Sequence, residues 1–132
     1  MSGLVLKLGP RERVMINGVV MENGDRRTRI NILTAEANVL RLRDAIHPDE
    51  ATTPVKRVCY IAQLVLAGEA DPEVARGQLL RGIEQLSQVF QDSDSRAHLS
   101  AATEAVEAGR FYQVMRALRN ILPRETRLLA AG

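Results

Sequence analysis

A chain of 132 residues favours one compact unit, or two small ones sharing a core. With 45% apolar and 26% charged residues it is too apolar to be a disordered segment, and a net charge of +2 excludes a generic polyanion binder. Aromatic residues at 3%, without tryptophan, require an aliphatic core and leave few platforms on which nucleobases could stack.

The front reads as short strands. LVLKL, Leu4 to Leu8, runs into a Gly9-Pro10 turn. Arg13 to Ile16 and Val19 to Glu22 flank Asn17-Gly18, whose residues both tolerate positive φ, so the spacing predicts a two-residue hairpin. After a second turn at Asn23-Gly24-Asp25, Thr28, Ile30 and Ile32 alternate with Arg27, Arg29 and Asn31. A strand sends these sets to opposite faces, one apolar and one cationic. The same pattern recurs where Leu40 and Leu42 alternate with Arg41 and Arg43. It predicts a strand over Val39 to Asp44, with a helix capped by Thr34 as the competitor.

From Asp49 the period becomes helical. Thr53 caps a helix with Pro54 at its first position and Val55, Val58, Cys59, Ala62, Val65 and Leu66 on one stripe, ended by Gly68; Lys56 and Arg57 point off that stripe. A second helix begins near Asp71-Pro72 and a third at Ser93 to Ser95, stopping at Gly109. A fourth runs from Phe111 to Leu122 and is closed by Pro123, leaving the residues after Arg127 loose. The expected fold is therefore α+β: a small antiparallel N-terminal sheet, then a bundle of about four amphipathic helices. Residues 1–48 form the β-rich segment and 49–132 the helical one, packed as one compact unit.

Catalysis finds little support. Cys59 lies on an apolar stripe, His47 and His98 have no second ligand at metal spacing, and the glycines at 9, 18 and 24 punctuate hairpins rather than cradle phosphate. A non-enzyme without metal or cofactor is expected. One cysteine permits no internal disulfide, the N-terminus lacks the apolar run of a signal peptide, and no stretch approaches the ~18 apolar residues of a membrane span. A cytoplasmic protein without membrane contact is expected.

What remains is the distribution of charge. Up to Pro48 there are eight Lys/Arg against five Asp/Glu, and afterwards ten against eleven. Alternate residues of a strand project from one side at roughly 7 Å, close to the separation of phosphates along an extended single strand. Arginine also offers planar forks for phosphate and can stack on bases.

MINGVVMENGDRRTRINIL, EATTPVKRVCYIAQLVL and AGRFYQVMRALRNILPRE, in this order along almost the whole chain, resemble the FlbT family of flagellin post-transcriptional repressors. Thr52-Thr53-Pro54 with Lys56-Arg57, and the GRFY…LPRE end, are the most specific parts. The resemblance implies a repressor that binds the 5′ untranslated leader of flagellin mRNA, lowers translation and shortens message lifetime, in a circuit with the small regulator FlaF. The front alone, LVLKLGPRERVMINGVV…VLRLRDAI, is similar in pattern to the carbon storage regulators (CsrA), dimers that bind GGA-containing leaders. Leu4 to Leu6, Glu12, Val14 to Ile16 and Arg43 match that pattern, whereas Leu8 and Gly9 stand where that family carries arginines. This second likeness implies Leu6 and Arg43 on an RNA surface.

Together these readings assign RNA binding to Arg26, Arg27, Arg29, Arg41, Arg43, Leu6, Lys56 and Arg57, with Ile30 and Ile32 turned inward against the helical half. The alternative is a non-catalytic adaptor or chaperone-like partner of flagellin or FlaF, with a groove on the helical half for a partner helix. A thin sheet with an exposed edge also predicts a homodimer.

Overall fold

A computed structural model describes residues 3–131. The strands are β1 (Leu4–Leu8), β2 (Arg13–Ile16), β3 (Val19–Glu22), β4 (Thr28–Ile32) and β5 (Val39–Arg41). The helices are α1 (Pro54–Leu66), α2 (Pro72–Val89), α3 (Ser93–Glu107), α4 (Phe111–Arg119) and α5 (Leu122–Ala131). This is the α+β fold the sequence predicts, with its strands first and its helices after.

The described strands form two antiparallel sheets, β1-β4 and β3-β2-β5. Asn17 at φ 49° and Gly18 at φ 83° make the β2–β3 turn, the geometry that matches the twist of the flanking strands. Asn23 ties the second turn together: its side-chain amide donates to the carbonyls of Gly9 and Arg26 at 2.7 and 2.9 Å, and Thr28 Oγ1 donates to its Oδ1 at 2.6 Å. β3 is an edge strand whose Val19, Val20 and Met21 are all exposed. Such a free edge is the feature on which the homodimer expectation rests.

Two corrections concern element ends. The predicted strand from Val39 to Asp44 stops at Arg41, and Leu42–Asp44 is a 3₁₀ turn. The fourth helix stops at Arg119. Pro123 does not close it but stands in the first turn of a fifth helix, where a missing N–H costs no hydrogen bond. The residues after Arg127 are therefore helical to Ala131 rather than loose.

Among the described residues there are two apolar clusters. The larger unites α1 to α4 with Leu40 and Ile46 from the front. The smaller lies between the ladders: Leu6, Leu8, Val14 and Val39, with Leu4, Ile16, Ile30 and Ile32 against them. Ile30 and Ile32 do turn inward, but onto this sheet core and not onto the helical bundle. Tyr112 of α4 packs against both clusters and joins the halves. Gln63, buried on α1, accepts from Ile46 N and donates to Ile46 O at 2.6 and 2.9 Å, which anchors the connection between sheet and helices. Glu125, buried on α5, accepts from Thr53 Oγ1 and, at 2.9 Å, from Val55 N. It thus caps the first turn of α1 from across the bundle and favours the positive end of that helix. The TTP and LPRE segments of the sequence meet at this point.

Candidate nucleic-acid interface

Strand alternation decides which cations reach the surface. In β1, Leu4, Leu6 and Leu8 face the sheet core while Val5 and Lys7 face out. In β4, Ile30 and Ile32 face in while Arg29 and Asn31 face out. The register sets Lys7 directly opposite Arg29. Like charges placed opposite each other destabilise a ladder, so this pair is held together by the fold and not by mutual attraction.

The pair lies where two depressions meet. One, of about 570 Å³, is lined by Lys7, Arg27, Arg29 and Arg43. The other, of about 560 Å³, runs from Lys7 and Arg29 to α4, where Tyr112, Arg116, Arg119 and Asn120 form its far wall. Among the described residues Lys7, Arg27, Arg29 and Arg116 have no carboxylate partner. Arg119 is held by Asp44 at 3.4 Å and donates to the Asp44 carbonyl at 3.2 Å. Arg43 remains exposed, with Glu12 at 3.6 Å and Asp44 at 4.0 Å.

Arg41 has a different role. Its Nε and Nη2 donate to the two Glu12 carboxylate oxygens at 2.7 and 2.8 Å, and Nη2 also donates to the Lys7 carbonyl at 2.5 Å. Both side chains are nearly enclosed, Glu12 at 6% and Arg41 at 12% exposure. The hydrogen bonds from Arg41 pull the Glu12 carboxyl down to about 2 against the opposing cost of burial. The same bonds raise Arg41 above its ordinary value. This fork ties β5 to the β1–β2 turn at the edge of the cleft and engages the Arg41 guanidinium with Glu12 and the Lys7 carbonyl.

The remaining assigned residues separate clearly. Arg27, Arg29 and Arg43 come together. Leu6 is 1% exposed in the sheet core, so it is removed from the surface. Arg26 sits in the exposed turn before β4, outside both depressions. Lys56 and Arg57 lie on the first turns of α1, whereas the cleft touches that helix only at Leu66, about 15 Å along the axis. Lys7, Arg116 and Arg119 are additions. Lys7 follows from the alternation of LVLKL. Arg116 and Arg119 are visible as an i, i+3 pair off an apolar stripe, but nothing local says that this pair lies opposite the sheet.

Burial pushes the Cys59 thiol up to about 12, away from a reactive thiolate. Among the described residues no three His, Cys, Asp or Glu side chains gather as metal ligands. No helix among them is long and apolar enough to cross a membrane.

The family described as "Flagellar protein FlbT" matches residues 4–129. Relatives named "Probable flagellum biosynthesis repressor protein FlbT" have similar sequences. One from Allorhizobium ampelinum is 30% identical over 128 residues, covering 97% of this chain and 85% of the relative. One from a Caulobacter species is 30% identical over 126 residues, covering 96% and 95%. One from Brucella abortus is 29% identical over 130 residues, covering 98% and 84%. No solved structure matches the chain.

Proposed function

The chain belongs to the FlbT family, and on that premise we propose that it represses flagellum biosynthesis by binding the 5′ untranslated leader of flagellin mRNA through the cleft between the β1–β4 face and α4. The observation that carries the reading is the Lys7–Arg29 pair: two exposed cations directly opposite each other, without a carboxylate between them. A phosphate seated across the pair relieves their repulsion and supplies the missing anion. Arg27, Arg43 and Arg116 extend the track to either side. Among the described residues Tyr112 is the only aromatic one lining the cleft, so phosphate contacts and arginine forks dominate over base stacking.

The action is non-catalytic and cytoplasmic. Occupancy of the leader blocks ribosome access, and shortened message lifetime follows from nucleases acting on the untranslated message. If about four phosphates are neutralised on single-stranded RNA, log affinity falls with log salt at a slope of roughly −3. Lys7→Ala/Arg29→Ala should weaken leader binding and bring that slope to roughly −1.5. Leader RNA bound by the double variant with unchanged affinity and slope would reject this surface.

A further inference from the structure

A second concavity lies on another face of the molecule and has the opposite chemistry. It is a groove of about 590 Å³ between α1, α2 and α5. Each helix gives it one stripe: Val58 and Ile61 from α1, Leu86 and Val89 from α2, Leu128 and Leu129 from α5. Val89, Leu128 and Leu129 are 66%, 42% and 60% exposed, so the walls remain apolar out to the rim. The stripe from Gln78 to Val89 measures about 16 Å, the length of three helical turns. The rim is cationic on both sides, with Arg57 on α1 and Arg81 on α2. Neither has a carboxylate partner among the described residues; Arg57 donates only to the Thr52 carbonyl, at 3.0 Å. The one acid among the described residues of the groove, Glu125, is buried and engaged with Thr53 and Val55.

We propose that this groove is a docking site for an amphipathic helix of a partner protein, one whose apolar stripe is flanked by Asp or Glu. The apolar walls take anchors at i, i+3 or i+4, and i+7, while Arg57 and Arg81 meet acids on the two flanks. A second copy of this chain fits poorly. Its acidic helix α3 already buries Leu99, Ala102 and Val106 in its own core. Its exposed apolar helix α5 carries Arg124 and Arg127, which would face the cationic rim. RNA would find apolar walls and only the two rim arginines. The inference is independent of the RNA reading, because the groove and the cationic cleft share no lining residue.

The test uses the full chain and two labelled helical peptides of about 18 residues. One carries leucines at helical spacing between glutamates; its twin has lysine in place of every glutamate. Fluorescence anisotropy should show saturable binding of the acidic peptide and at least about tenfold weaker binding of its twin. Val89→Glu and Leu129→Glu change exposed residues and leave the fold intact; each should weaken the acidic peptide at least about tenfold. Arg57→Glu/Arg81→Glu should reverse the preference towards the lysine twin. Leader RNA binding by all these variants should equal that of the parent, which separates a failure here from a failure of the RNA surface. Four results overturn the proposal: no saturable binding, equal binding of both peptides, displacement of the acidic peptide by leader RNA, or a concentration-dependent dimer that Leu129→Glu abolishes.

Discussion

The cationic cleft and the apolar groove both contain exposed arginines, yet the arginines do different work because their surroundings differ. In the cleft, Arg27, Arg29 and Arg116 have no carboxylate partner among the described residues and share their depressions with Lys7 and Arg43. In the groove, Arg57 and Arg81 stand alone on the rim of an apolar trough. The first arrangement suits a chain of phosphates, the second a hydrophobic ligand with acidic flanks. A third environment, the enclosed fork between Arg41 and Glu12, makes an arginine part of the scaffold. The partner decides the role of a cation, and the partner is set by tertiary placement.

The largest effect that sharpens this contrast is expected at the scaffold arginine. Glu12→Ala leaves Arg41 nearly enclosed without its counterion and should cost about 3–5 kcal/mol in urea unfolding at neutral pH. The acid dependence of the parent follows from the same pair. Folding lowers the Glu12 carboxyl from 4.5 to about 2, so its stabilisation is complete above pH 4.5 and is lost as pH falls towards 2. That contribution is about 3 kcal/mol, and Glu12→Ala should flatten the stability profile between these limits. A variant that loses less than about 1 kcal/mol would place Arg41 with the ligand-binding cations after all.

Much of the fold could be read locally. Asn17-Gly18 fixed the hairpin, Thr53-Pro54 and Asp71-Pro72 fixed two helix starts, and Gly68 and Gly109 fixed two helix ends, at φ 77° and 72°. Arg27 and Arg29 followed from the period of β4. The errors have a common origin in distant contacts. Arg41 and Arg43 look alike in the sequence, but the Glu12 that captures Arg41 lies 29 residues away. Pro123 reads as a stop or a start according to which side of it is helical, and here it stands in the first turn of α5, whose Glu125 binds the N-terminus of α1 across the bundle. That Arg116 and Arg119 face the sheet depends on how α4 packs, which no local pattern encodes.

A smaller effect is expected beneath the groove. A Cβ on Gly82 of α2 would stand 2.9 Å from Val58 Cγ2 of α1. The β-branched valine has little rotamer freedom in a helix with which to give way. Gly82→Ala gains helix propensity but forces this contact apart, for a net loss of about 1 kcal/mol. Val58 lines the groove, so the same variant should weaken the acidic peptide while leaving leader RNA binding unchanged. Loss of RNA binding instead would mean that the two faces are mechanically coupled through the bundle.

The smallest effect has the opposite sign and separates the two kinds of arginine most sharply. Arg29→Gln removes one member of the Lys7–Arg29 pair and no ion pair among the described residues. If the cation is held in place for a ligand, the free protein should become more stable, by a few tenths of a kcal/mol. Screening should erase the gain in about 1 M salt, where the Debye length is about 3 Å. Parallel urea titrations of parent and variant at low and high salt read both terms. A destabilisation of about 1 kcal/mol at either salt concentration would make Arg29 a scaffold residue like Arg41, and the phosphate track would lose its central contact.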